Sequence, residues 1–213
     1  MENMEYIKNI QLNEIRKKLE ANNYATYSVE NIIELHELLD KLIEPNKSVN
    51  LGGSQTLFET DVVAYLNNRN DIELQSRYKD NITNDEIEDI YRKAYSCDYY
   101  LASSNAITMN GELINVDGRG NRTSALIYGP KEVILIVGTN KIVVDEQEGI
   151  NRIKYVAAPC NSKRLKLSTP CTSIGYCVKC NHEQKICRDY VKMGSQLTKN
   201  RIKVIFIKGN YGY

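Results

Sequence analysis

Four cysteines near the end of the chain, Cys171, Cys177, Cys180 and Cys187, are spaced C-x5-C-x2-C-x6-C and account for four of the six cysteines present. Thiolates gathered this closely bind a metal ion or an iron–sulfur cluster, or else pair as disulfides. A 4Fe-4S cluster takes four thiolates, commonly with a C-x2-C pair among them, which Cys177 and Cys180 supply. Cys171 and Cys187 close the set, and Gly175 gives the loop room to turn. Zinc would accept the same four sulfurs tetrahedrally, with His182 able to replace one. Cys160, after Pro159, is a reserve ligand or a buried thiol, and Cys97 reads as a core thiol. Lys163, Arg164, Lys166, Lys179, Lys185 and Arg188 surround the segment. They either offset the negative charge of a thiolate cluster or are simply solvated.

Three polar motifs are candidates for ligand binding. LGGSQTLFE at 51–59 follows a short apolar run. Gly52 and Gly53 let backbone approach a ligand, and the amides of Ser54, Gln55 and Thr56 would open a helix, an arrangement suited to phosphate or carboxylate. A tight strand-to-helix turn capped by Ser54 explains the same residues without a ligand. SSNAITMNGELINVDGRGNR at 103–122 is dense in small polar residues, with Ser103, Ser104, Asn105, Asn115, Gly118, Gly120 and Asn121 as candidate contacts. Its ionisable members are Glu112, Asp117 and Arg122. Arg122 can hold a carboxylate or phosphate in bidentate fashion, and Glu112 can act as nucleophile or base in a dry site. The alternative is a pair of hairpin turns with solvated charges. GTNKI at 138–142 offers Lys141 as a further positive charge, or is an ordinary loop.

The elements that must position these motifs alternate in type. Helical spacing over residues 4–22 carries Ile7, Ile10, Ile15 and Leu19. A short strand is expected at 24–27, then a helix capped by Ser28 and bearing Ile32, Ile33, Leu35, Leu38, Leu39 and Leu42, ended by Pro45. A strand at Ser48–Leu51 precedes a helix over 55–66. Thr83 and Glu86 form a capping box for a helix through Tyr95. A strand at 98–102 ends in SSNA, and Asn110-Gly111 marks a tight turn between two strands. The run EVILIV at 132–137 reads as a fully buried strand, a helix follows over 146–157, and IKVIFI, Ile202–Ile207, is the last buried strand. His36, beside leucines, reads as structural. The expectation is an α/β fold: a mostly parallel sheet flanked by helices, one domain over 1–213, with a cysteine-rich segment at 160–190 inserted before the last strand. In such a sheet, ligands bind beyond the C-terminal ends of the strands, where the three polar motifs fall.

Composition narrows the function classes. With 213 residues, 26% charged and 42% hydrophobic, the chain can bury a substantial core. A net charge of +1 gives no global field for nucleic acid or an anionic membrane. No apolar run approaches the ~20 residues needed to span a bilayer. The start, MENMEYIKNIQLNEIRKKLE, is polar and amphipathic with no apolar signal core. The protein is expected to be cytoplasmic, where thiols stay reduced, which disfavours disulfides. The expected partners are a small anionic metabolite and redox subunits, without nucleic acid or membrane; a homo-oligomer is compatible with this reading. The 15 tyrosines, against 2 phenylalanines and no tryptophan, carry no functional reading.

The sequence resembles the LUD-domain family, lactate-utilisation protein C type, and among its members the clostridial ones with a C-terminal cysteine segment. The resemblance rests on LGGSQTLFE at 51–59, SSNAIT at 103–108, GELINVDGRGNR at 111–122, YGPKEVILIVG at 128–138, AAPCNSKRL at 157–165 and TPCTSIGYCVKCNHEQKIC at 169–187. It implies a fold similar to the glucosamine-6-phosphate deaminase, ribose-5-phosphate isomerase and CoA-transferase group. It also implies an association with oxidation of L-lactate to pyruvate beside iron–sulfur and dehydrogenase-like subunits. In those larger systems the cluster-rich subunits are separate proteins, whereas here the cysteines lie in the LUD chain itself.

Three functions are compatible with these features. The first is a redox subunit or enzyme that binds a small anion beside a cysteine-ligated cluster. The second is a non-catalytic metabolite-binding or regulatory module stapled by zinc. The third is CoA-transferase-like acyl transfer through Glu112.

Overall fold

In the computed structural model of the protein, which describes residues 2–213, helices and strands alternate along the chain. The first half runs α1 (Glu2–Ala21), β1 (Ala25–Val29), α2 (Ile32–Leu42), β2 (Ser48–Leu51), α3 (Gln55–Glu59), α4 (Val62–Asn67), β3 (Glu73–Gln75), α5 (Asn84–Lys93) and β4 (Tyr99–Ala102). The second half runs β5 (Ala106–Thr108), β6 (Leu113–Asp117), α6 (Asn121–Tyr128), β7 (Glu132–Gly138), β8 (Ile142–Val143), α7 (Glu146–Arg152), α8 (Ala158–Arg164), α9 (Cys171–Ile174), β9 (Asp189–Met193) and β10 (Ile202–Ile207).

Six strands form one sheet in the order β1-β10-β7-β4-β2-β3, every pairing parallel. The apolar run of β7 explains itself here. Val133, Leu135 and Val137 pack into one core, with Ile15 and Leu19 of α1 and Leu126 of α6. Ile134 and Ile136 pack into the other, with Leu35 and Leu39 of α2, Leu57 of α3 and Leu66 of α4. A strand covered by helices on both faces has no solvent side, so its sequence cannot alternate with polar residues. β10 follows the same rule, with Val204 and Phe206 on one side and Ile205 and Ile207 on the other.

A second sheet, in the order β8-β5-β6-β9, is mixed: β5 pairs parallel to β8, while β6 pairs antiparallel to β5 and β9. The Asn110-Gly111 turn joins β5 and β6 as expected, with Gly111 at φ +75° and its amide donating to Thr108 O at 2.9 Å.

Several local expectations are revised. The helix over 55–66 is two short helices, because Asp61 adopts a left-handed conformation, φ +55°, between them. The cap of α2 is Asn31, whose side chain accepts from Glu34 N at 3.0 Å; Ser28 lies inside β1. On α1, Ile15 and Leu19 are buried, whereas Ile7 and Ile10 are exposed. The cysteine segment leads into β9 of the small sheet, and only then does the chain reach β10. The capping box of Thr83 and Glu86 is present on α5. His36 stacks on Tyr65 and its Nε2 lies 3.1 Å from Thr60 O. Among the described residues, no helix is long and apolar enough to cross a membrane.

Candidate functional site

The C-terminal ends of β2, β3, β4 and β7 of the large sheet meet at one cleft of about 500 Å³. The segment after β2 contributes Gly53, Ser54 and Gln55; the one after β3, Arg77 and Tyr78. The turn after β4 brings Ser103, Ser104 and Asn105, and the turn after β7 brings Lys141. From the small sheet, Val116 and Asp117 at the end of β6 complete the rim with Gly118, Arg119, Asn121 and Arg122. Two of the three polar motifs thus meet face to face, and Lys141 of the third joins them.

Arg122 is fixed by neutral acceptors. Its Nη1 donates to Ser103 O at 2.9 Å and Asn115 Oδ1 at 2.8 Å; its Nη2 donates to Asn105 Oδ1 at 3.1 Å and Val116 O at 2.8 Å. Its guanidinium forms no ion pair, because no carboxylate oxygen lies within 4 Å of its side-chain nitrogens among the described residues. Asp117 is the only carboxylate on the cleft wall among the described residues, and it is already engaged. Its Oδ1 accepts from the amides of Gly118 and Arg119, and its Oδ2 from those of Arg122 and Thr123, at 2.7–3.3 Å. Asp117 thereby shapes the NVDGRGNR loop and opens α6.

Lys141 is 2% exposed, yet its amine reaches the cleft. Nζ donates to Thr56 Oγ1 at 2.6 Å and Ser103 Oγ at 3.1 Å. Burial, then the neighbouring charges of Arg152 and Arg122, push its pKa down to about 7, against a smaller opposing pull from Glu59. An ammonium in this position loses its water shell and meets two like charges, so the neutral amine is favoured.

The opposite wall carries Arg77 between two rings. Its guanidinium carbon lies 5.1 Å from the Tyr78 ring centre and 5.2 Å from that of Tyr91, and it hydrogen-bonds both hydroxyls. A Cβ on Gly53 would collide with Arg77 Nη2, so a side chain there has to displace the flexible guanidinium. Arg164 adds a further cation at the mouth, as does Arg119, which is paired with Glu88 at 2.6 Å. Arg77, Tyr78, Tyr91 and Tyr213 went unread in the sequence, because nothing in their local spacing ties them to the glycine loop, and Arg164 was read only as a cation around the cysteine segment.

The other candidates support the cleft, edge it or lie away from it. Gly52 packs behind the cleft with its amide on Leu101 O, and Thr56 and Asn115 support it from beneath through Lys141 and Arg122. Gly120, at φ +75°, precedes α6. Ser54 stands at the N-cap of α3 but its side chain makes no capping bond. Helix α3 is only five residues long, and Gly212 covers it: a Cβ there would lie 2.8 Å from Thr56 N. Glu112 is not on the cleft wall; it sits in the β5–β6 hairpin, 3.2 Å from Thr108 Oγ1 and 3.5 Å from Lys192 Nζ.

The cysteine segment borders the cleft. Ile186 lines the wall, Gly118 packs against its backbone, and the adjacent Arg188 amide donates to Asp117 O at 2.9 Å. The segment is anchored on its other side where helix α7 widens into π-type turns over Ile153–Ala157: Lys154 O accepts from Cys177 N at 3.1 Å. Burial raises the pKa of Cys187, opposed by the charge of Lys185, with smaller upward contributions from Cys177, Cys180 and Cys171. Cys177 Sγ accepts the Lys179 amide at 3.3 Å. Among the described residues, no three His, Cys, Asp or Glu side chains stand in a metal-holding arrangement. Cys160 is exposed, and Cys97 is a buried core thiol whose pKa burial pushes up to about 12.

The LUD-domain family model matches residues 12–207, nearly the whole chain. The chain belongs to the LUD-domain family. This LUD-domain protein also shares its fold with a DUF162 family protein from Deinococcus radiodurans, known from a crystal structure. The two superpose with a TM-score of 0.55 over 95% of this chain and 98% of that one, at 15% sequence identity. No curated protein matches the sequence.

Proposed function

We propose that this LUD-domain protein binds a small anionic metabolite, a carboxylate or phosphate, in the cleft at the strand ends. The observation that carries the reading is Arg122: a guanidinium held by four neutral acceptors, with no carboxylate of its own, on the wall of a cleft that also presents Arg77, Arg119, Arg164 and Lys141. The one acidic residue on that wall among the described residues spends its lone pairs on four backbone amides. A volume of about 500 Å³ suits a metabolite-sized ligand. The test is calorimetric titration of the full chain with inorganic sulfate and phosphate. Arg122→Met should weaken binding at least tenfold while the fold persists; equal affinity in parent and variant would sink the reading.

As a further part of this reading, Cys171, Cys177, Cys180 and Cys187 hold a 4Fe-4S cluster beside the anion, making the protein a redox subunit or enzyme. The support is the donor type and spacing, four cysteines with a C-x2-C pair, although among the described residues the side chains do not stand in a metal-holding arrangement. The loop has to tighten to place them on one centre. Such a cluster supplies one-electron transfer when bound. Brown, iron- and sulfide-containing protein from anaerobic preparation supports this assignment. Colourless protein with stoichiometric zinc favours the regulatory module stapled by metal. Glu112, off the cleft wall, has no part in either.

A further inference from the structure

We propose that Lys141 is an imine-forming amine, and that the anions taken by the cleft are small aldehydes or ketones bearing a carboxylate or phosphate. The inference rests on the anion-binding reading above and names the reacting group on its ligand.

The hydrogen bonding around Nζ carries the argument. Thr56 Oγ1 donates its own proton to Tyr211 O at 3.1 Å, and Ser103 Oγ donates its proton to Ser104 O at 3.4 Å. Both hydroxyls therefore act as acceptors toward Nζ, at 2.6 Å and 3.1 Å. A neutral amine has two N–H bonds and one lone pair. The two N–H bonds are used on the two hydroxyls, and neither hydroxyl has a proton left to donate to the lone pair. No carboxylate lies within 4 Å of Nζ among the described residues, so nothing pairs with its charged form. The third position of the nitrogen is without a protein partner, in a residue that lines the cleft. A lysine serving only as a counter-charge for anions gains from full protonation; this one is surrounded by features that favour its free base, namely burial, Arg152 and Arg122, opposed by Glu59.

The step balances without an oxidant or reductant. The lone pair of Nζ attacks the carbonyl carbon and forms a C–N bond. The carbonyl oxygen picks up two protons, one from each N–H bond by way of the bonded hydroxyls or solvent, and leaves as water. A C=N bond remains, and the anionic end sits against Arg77 in the field of the Arg122 guanidinium. The reverse reaction with water restores the amine.

The experiment incubates the full chain with glyoxylate or, separately, dihydroxyacetone phosphate, with sodium cyanoborohydride present, followed by intact mass and peptide mapping. The expected result is one reduced adduct per chain, located at Lys141, suppressed by excess sulfate and missing from Lys141→Met. Glyoxylate and dihydroxyacetone phosphate separate a carboxylate ligand from a phosphate ligand. No adduct at Lys141 with either compound, or modification spread evenly over exposed lysines, overturns the proposal. Mapping the site in the parent protein keeps the result decisive even where Lys141→Met fails to fold. Sulfate binding measured on the same protein separates the two readings. Sulfate bound without trapping removes the imine alone; no sulfate bound removes the anion site as well.

Discussion

Arg122 Nη1 donates to Asn115 Oδ1 at 2.8 Å, and Asn115 is completely buried with its own Nδ2 unpartnered. A neutral amide in that place aims the guanidinium without cancelling its charge. Converting it to a carboxylate reverses that design at constant size. Asn115→Asp should weaken sulfate binding at least tenfold, because the cleft's central cation gains an internal counter-ion. Titration calorimetry reads the affinity, and unchanged affinity would contradict the role given to Arg122.

Lys141 gives the cleft a pH dependence. Its pKa is depressed to about 7 in the folded protein, from an ordinary 10.5. Below about pH 7 both folded and unfolded chains carry the proton, and the full cost of the buried charge is present. Between about 7 and 10.5 the unfolded chain binds the extra proton, so this group's contribution to stability improves as pH rises. Lys141→Met should therefore be more stable than the parent at pH 6, by roughly 1–3 kcal/mol, with the gap closing toward pH 10. Denaturant titrations at the two pH values check the sign.

The same amine should take up a proton when an anion arrives. Near pH 7, sulfate binding should be accompanied by uptake of a fraction of one proton, since the incoming charge favours the ammonium. Calorimetry in two buffers of different ionisation enthalpy measures it. The uptake should vanish in Lys141→Met, and its persistence there would place the titrating group elsewhere.

Gly53 leaves room for Arg77. In Gly53→Ala the new methyl would displace a flexible guanidinium rather than backbone, so affinity for sulfate should fall several-fold while thermal stability changes little. A loss of stability comparable to a core truncation, above about 2 kcal/mol, would mean that the loop itself needs glycine.

Glu112→Gln serves as a contrast. Its partners are Thr108 in the hairpin and Lys192 of β9, and the Lys192 and Glu112 side chains are partly exposed. Stability should change by less than about 1 kcal/mol, and sulfate affinity should stay within twofold. A large fall in affinity would bring Glu112 back to the site.

The sequence alone determined the layers of this protein. EVILIV and IKVIFI are apolar at every position because strands covered on both faces have no solvent side, and that property is visible in one dimension. The glycine and NVDGRGNR loops were legible as ligand candidates because small polar residues beyond strand ends have few other uses. The cysteines were legible as a group because their spacing is local, and the fold then decided that Ile186 beside Cys187 lines the same cleft. Tertiary structure also decided which charges reach the cleft. Asp117 and Glu112 look alike in the sequence, yet one caps a helix and the other sits in a hairpin. Arg77 and Lys141 come from loops 64 positions apart, and only the parallel order of β3, β2, β4 and β7 brings them to one cleft. The free lone pair inferred for Lys141 depends on burial and on where two hydroxyl protons go, and neither is written in the order of residues.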